Sequence, residues 1–260
     1  MSKTTKLSVN LNKIALIRNS REGNFPDVVA HGQMCLDAGA DGLTVHPRPD
    51  QRHIRPSDVR ALADLVRPLK GIEFNIEGNP NADALGDYPG FMALVRETRP
   101  DQCTLVPDSN EQLTSDHGFD LTRSGEALRP IIDELHELGC RVSLFMDPDI
   151  RQIDLAASVG ADRIELYTGP YAEAHKAHNS ELAALLEQYR CAAAHARDIG
   201  LGVNAGHDLN LDNLEAFLHI PGIDEVSIGH ALTVDALRMG LPAAVRAYLE
   251  ICRHGSHPSV

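Results

Sequence analysis

Short apolar runs recur along the chain, each closing on a polar residue and each followed by a longer stretch with helical spacing. KLSVNLN (6–12), GLTVHP (42–47), GIEFNIEG (71–78), QCTLVP (102–107), RVSLFMD (141–147), RIELYT (163–168), LGVNAG (201–206) and EVSIGH (225–230) predict eight strands. Helical spacing predicts helices over 27–38, 57–67, 83–98 and 122–138. The first opens at Pro26-Asp27 and stops at Gly39; the last stops at Gly139.

Four helices end in variants of one phrase: AGAD at 38–41, LGCR at 138–141, VGAD at 159–162 and IGLG at 199–202. The glycine reads as a helix C-cap, with the next strand starting at once. Eight such repeats in 260 residues predict a (β/α)8 TIM barrel rather than an open doubly wound sheet. No GxGxxG follows the first strand, so a dinucleotide fold gains no support. The expectation is one barrel domain over 1–260, with HGSHPSV at 254–260 as a flexible tail.

Composition narrows the partners. A formal charge of -13, no Trp and 4% aromatic residues argue against nucleic acid. An anionic substrate would need a local pocket of Arg, Lys, His and backbone N–H groups. The five scattered cysteines show no metal-finger spacing and read as reduced thiols. Without an apolar leader or a run long enough to cross a bilayer, a cytoplasmic protein with no membrane partner is expected.

In such a barrel the chemistry sits where the strands end. The polar residues there are Asn10, Asn12, His46, Glu73, Asn75, Asp147, Glu165, His207, Asp208, Gly229 and His230, with Thr114 supplied by the long loop after strand four. Leaving so many polar groups buried and unsatisfied would cost about 1–3 kcal/mol each, which favours a pocket. The paired Gly-His turns, at 206–207 and 229–230, read as a phosphate seat. HPRPDQRHI places Arg48 and His53 in a proline-stiffened loop, either a second anion site or a solvated basic turn. Arg18 and Arg21, after the first strand, could hold a further phosphate. Lys13 could form a Schiff base or simply meet a phosphate. His46, Glu165, His207 and His230 could ligate a metal, although none has the short spacing of metal motifs.

Taken together, VNLNKIALIRNSR, DGLTVHPRPDQRHI, IEFNIEG, LVPDSNEQLTS, VSLFMDPD, RIELYTGPYA, GVNAGHDL and EVSIGHALTVDAL resemble the pyridoxine 5′-phosphate synthase family over nearly the whole chain. The resemblance implies a (β/α)8 barrel with additional helices and a homo-oligomer, an octamer. It implies condensation of 1-deoxy-D-xylulose 5-phosphate with 3-amino-2-oxopropyl phosphate, without cofactor or metal. His46 and Glu73 then match proton acceptors, His207 a proton donor and Glu165 a carboxylate that stabilises charged intermediates. Asn10, Arg21, Asp208, Gly229 and His230 match positions holding the aminoketone phosphate; Arg48, His53 and Thr114 match those holding the deoxyxylulose phosphate. Where many members read Asn-Ile-Asp-His, this chain reads Asn10-Leu11-Asn12-Lys13, so Asn12 and Lys13 would meet the sugar phosphate as amide and ammonium. Asp208 stands where many have glycine.

The rival readings are a Schiff-base aldolase using Lys13, a metal-dependent sugar-phosphate isomerase, and a barrel that binds phosphorylated vitamers without turning them over.

Overall fold

A computed structural model describes residues 4–109 and 111–255. Eight parallel strands close into a barrel: β1 (Lys6–Asn10), β2 (Gly42–Val45), β3 (Glu73–Gly78), β4 (Gln102–Leu105), β5 (Arg141–Met146), β6 (Arg163–Tyr167), β7 (Gly202–Gly206) and β8 (Glu225–Ile228). β1 pairs with both β2 and β8, which removes any open edge. Around them run α1 (Asn12–Asn19), α2 (Val28–Asp37), α3 (Pro56–Val66), α4 (Phe91–Thr98), α5 (Leu121–Glu137), α6 (Ile150–Ser158), α7 (Gly169–Lys176), α8 (Leu182–Asp198), α9 (Leu214–Leu218), α10 (His230–Met239) and α11 (Leu241–His254).

The strands alternate strictly, and this decides where the core lies. Leu7, Val9, Leu43, Val45, Phe74, Ile76, Val142 and Leu144 are buried in the hydrophobic cluster between barrel and helices. Their neighbours face the barrel interior and are mostly polar, with Phe145 the apolar exception on β5. Ser8 shares a 2.7 Å hydrogen bond with Thr44, Asn75 donates to Thr44 at 3.3 Å, and Thr104 donates to Asn75 at 3.2 Å. Most barrel interiors are filled by branched apolar side chains. This one is a hydrogen-bonded polar column.

At the N-terminal end of the strands the column closes with charge. Arg141 donates to Glu73 at 2.5 Å, Lys6 donates to it at 2.9 Å, and Arg163 donates to Asn204 at 2.8 Å. The same end carries a repeated stitch, in which an aspartate before each even-numbered strand accepts the N–H of a residue in the strand preceding it. Asp41 holds Leu7 at 3.0 Å, Asp101 holds Phe74 at 2.8 Å, Asp162 holds Val142 at 2.7 Å and Asp224 holds Val203 at 3.2 Å.

The glycine-ended phrases act as caps. After α2, α5, α6 and α8 the residue beyond the glycine donates back to a helical carbonyl: Ala40 to Cys35, Cys140 to Leu135, Ala161 to Ala156 and Leu201 to Ala196. Gly39, Gly139, Gly160 and Gly200 all have positive φ, the conformation this closure requires.

Three boundaries differ from the sequence expectation. The first strand stops at Asn10 because its side-chain Oδ1 accepts the Asn12 N–H at 2.9 Å and α1 starts there. The helix expected from 83 starts only at Phe91, because Leu85 and Tyr88 form a tight bridge and Gly90 turns at φ 100°. At the other end His254 closes α11, so the expected tail cannot start there; residues 256–260 lie outside the described residues. All five cysteines are free, four of them buried.

Candidate active site

A cavity of about 410 Å³ opens at the C-terminal ends of the strands. Asn10, Asn12, Lys13, His46, Arg48, His53, Thr114, Glu165, His207, Asp208, Gly229 and His230 all line it. Twelve of the fourteen positions that the family resemblance assigns therefore converge, although they span the chain from residue 10 to 230; Asn75 and Asp147, also marked as strand-end polar residues, do not line it.

Glu73 is not among them. It begins β3, at the opposite end of the column, where it is held by Arg141 and Lys6. Burial alone would raise its carboxyl, but the hydrogen bonds from Arg141 and Lys6 outweigh this and bring it down to about 2. The carboxylate of β3 that does line the cavity is Glu77. Its Oε2 lies 4.0 Å from His46 Nδ1 and accepts from the Asn10 amide at 3.2 Å. The signal for Glu77 is present in the sequence: EFNIEG puts Glu73, Asn75 and Glu77 on one face, and the last of them is nearest the strand's C-terminal end.

Arg21 is exposed beyond the end of α1 and does not line the cavity. Arg18 is buried, pairing with Asp58 at 2.5 Å and donating to the His53 carbonyl at 2.9 Å, so it braces the loop after β2. That loop carries the cationic wall. Arg48 is tied to the Asp108 carboxylate, which also accepts from Ser115 at 2.7 Å. His53 Nδ1 accepts the Ile54 N–H at 2.9 Å, so the neutral ring carries its proton on Nε2. Burial, then Arg48 and Lys13, push His53 down to about 3, so it acts as a neutral donor.

His46 is 7% exposed, and the Asn12 side chain accepts its backbone N–H at 2.9 Å. Asn12 thus positions the histidine as well as lining the cavity. Burial, followed by the fields of Arg48, His53 and His207, holds the His46 imidazole well below its ordinary range. It is a neutral ring, able to accept a proton.

Glu165, on β6, is 2% exposed, and its Oε2 has no hydrogen-bond partner among the described residues. Burial and the carboxylates of Glu77 and Glu225 push it well above the usual carboxylate range. Gly206 makes room for it: a Cβ there would lie 2.4 Å from Glu165 Oε1.

Beyond Gly206 the chain turns through two left-handed residues, His207 at φ 80° and Asp208 at φ 58°. Strain of this kind persists only when surroundings enforce it. Here the Thr168 hydroxyl faces the carbonyls of both Gly206 and His207. The ring of His207 is 4.9 Å from Phe145 and 5.6 Å from Tyr167. Burial lowers His207, opposed by Asp208 and Asp108. Gly229, which also lines the cavity, is the N-cap of α10; the free N–H groups of a helix N-terminus favour negative charge.

Two imidazoles, two perturbed carboxyls and cationic walls in one barrel mouth are the groups that acid/base chemistry on a phosphorylated substrate requires. The sequence profile of the pyridoxal phosphate biosynthesis protein PdxJ family matches residues 7–254. The pyridoxine 5′-phosphate synthase of Xylella fastidiosa is 57% identical over 252 residues, 96% of each chain. That of Xanthomonas axonopodis pv. citri is 57% identical over 253 residues, 97% of this chain and 98% of the relative. The chain belongs to the PdxJ family. The fold is shared more widely. A tryptophan synthase structure from M. tuberculosis superposes with TM-score 0.64 at 13% identity, covering 99% of this chain and 94% of that one. The 3-keto-L-gulonate-6-phosphate decarboxylase of Vibrio cholerae gives 0.62 at 13% identity, covering 96% and 99%.

Proposed function

We propose that this chain condenses 1-deoxy-D-xylulose 5-phosphate with 3-amino-2-oxopropyl phosphate to give pyridoxine 5′-phosphate, phosphate and water. The observation that carries the reading is the convergence of His46, Glu165 and His207 in one cavity, in a chain 57% identical to pyridoxine 5′-phosphate synthases along 96% of its length. Amine attack, loss of water, loss of phosphate and ring closure each need a proton moved at a defined atom. Neutral His46 accepts protons, His207 at the rim returns one to a leaving oxygen, and Glu165 faces cationic intermediates. The steps balance without an external oxidant or cofactor.

Each substrate brings one phosphate, and the cavity offers two places for them. We assign one to Gly229, His230 and the backbone at Asp208, and the other to Arg48, His53, Thr114, Lys13 and Asn12, all of which line the cavity. Mixing both substrates with the purified chain should produce the absorbance of a pyridine ring. Its absence at saturating substrate would refute the reading.

A homo-oligomer, an octamer by family resemblance, accords with exposed Leu16 and Ile17 on α1 and Val234, Leu237 and Met239 on α10. Light scattering of the purified chain tests it. No described helix is long and apolar enough to cross a membrane, and a cytoplasmic location fits a pathway of small phosphorylated metabolites.

A further inference from the structure

We infer that Asp108 is the positioning residue of the sugar-phosphate seat: its carboxylate aims the Arg48 guanidinium at the incoming phosphate without touching substrate itself. The inference rests on the condensation and the seat assigned above.

Only one member of the pair faces the mouth. Arg48 lines it, whereas Asp108 does not and lines instead a separate hollow of about 350 Å³ with Pro49, Asn79 and Asp83. The carboxylate therefore reaches the guanidinium from outside the space the substrate would fill. Arg48 gives it Nη2, while Nη1 makes only a 3.4 Å contact with the Gln112 carbonyl. N–H groups of the planar fork are left over for an anion.

The pair is withdrawn from water, and its neighbour is not. The side chains of Arg48 and Asp108 are 6% and 2% exposed, against 23% and 43% for Arg52 and Asp50, whose guanidinium also lines the mouth. An exposed pair adds little, but a buried one holds its geometry because breaking it strands a charge. Asp108 is anchored in turn. The Ser115 hydroxyl donates at 2.7 Å to Oδ2, the oxygen that also meets Arg48, and the Asn79 amide donates to the Asp108 carbonyl at 2.8 Å. The loops after β2, β3 and β4 thus meet at one residue. Its other oxygen, Oδ1, is buried with no hydrogen-bond partner among the described residues, a cost that the contacts at Oδ2 offset.

Asp108 acts on an arriving phosphate in two opposed ways. Its charge weakens the field of Arg48, and its contact directs the fork. Lys13 and Arg52 line the same mouth and keep the field positive, so charge is shared among several groups. Direction is not shared, since Asp108 is the one carboxylate paired with Arg48 among the described residues. A guanidinium recognises phosphate through two parallel N–H groups, and an unaimed fork loses that geometry.

The test is steady-state kinetics of the full chain with both substrates, following the pyridine absorbance. Asp108→Asn should raise KM for 1-deoxy-D-xylulose 5-phosphate about 10- to 50-fold and leave KM for 3-amino-2-oxopropyl phosphate within about twofold. Asp108→Glu, which restores the carboxylate, should recover part of the loss. In an Arg48→Met background Asp108→Asn should add less than about twofold, because no fork remains to be aimed. An unchanged sugar-phosphate KM, an equal rise in both KM values, or full additivity with Arg48→Met overturns the inference. So does a lowered sugar-phosphate KM, which would make the carboxylate a mere competitor of the anion. If Asp108→Asn fails to fold, Asn79→Ala decides: a rise of about threefold in the sugar-phosphate KM alone is expected, and an unchanged value overturns the inference. A wild-type chain that makes no pyridine product refutes the reaction, and Arg48→Met with a wild-type sugar-phosphate KM refutes the seat. Either result, visible before Asp108 is altered, removes the inference with it.

Discussion

Glu73 and Glu77 stand on the same face of β3 and meet opposite environments: Arg141 and Lys6 hold the first carboxyl at about 2, while burial with scant compensation brings the second to about 7. One strand thus carries a structural carboxylate at its start and a titrating one at its end. The difference is made by what the neighbouring strands present at each level of the column.

Glu73 should make the barrel sensitive to acid. Its folded carboxyl lies below its unfolded value, so its contribution is present above about pH 4.5 and is lost as pH falls toward about 2. Glu73→Gln should cost about 1–3 kcal/mol at pH 7, discounted for the partial exposure of the pair. Urea unfolding of both proteins should show that gap narrowing through this acidic window.

His46→Asn removes the neutral acceptor while keeping side-chain size and the backbone N–H to Asn12. A loss in kcat of about 100-fold or more is expected, with the chain still folded. Because burial and nearby cations hold the imidazole below its ordinary range, the wild-type pH–rate profile should show no His46 limb at about 6.5. Stopped assays across pH 5 to 9, a span of about four units, would reveal one.

Gly206→Ala should act through Glu165. The backbone tolerates the methyl, since Gly206 is absent from the positive-φ positions, but its Cβ would lie 2.4 Å from Glu165 Oε1. The carboxyl is 2% exposed and has little space to retreat. A fall in kcat of about 10- to 100-fold at nearly unchanged substrate affinity is expected, measured by steady-state kinetics.

Lys13→Met should weaken anion binding without touching the fold. The side chain lines the same cavity as Arg48 and His53, and its charge acts on the His53 ring. Calorimetric titration with inorganic phosphate should give a Kd raised about 5- to 20-fold, with a shallower dependence on salt than wild type.

The stitch at the barrel's N-terminal end is open to the same scrutiny. Asp162→Ala deletes the acceptor for the Val142 N–H and a 2.9 Å contact to His136. Stability should drop by about 1–3 kcal/mol, read from the urea midpoint, while turnover per folded molecule stays constant.

Alternating apolar and polar positions already specify eight strands, and the AGAD, LGCR, VGAD and IGLG phrases already specify where four helices stop, because period and cap depend on residues a few positions apart. The same local rules mark most of the mouth, since a polar residue closing a strand such as His46 or His207 can hardly lie elsewhere. What neighbours in sequence leave open is depth. Glu73, Asn75 and Glu77 are equivalent by alternation, and which of them reaches the cavity depends on the register that sets Gly42 beside Glu73 and Val45 beside Ile76. Likewise Arg18 reads as a free cation until α3 brings Asp58 against it, and Arg21 as a site residue until α1 carries it out to the surface. Charge and protonation at these positions follow from strands distant in sequence, so only the closed barrel assigns them.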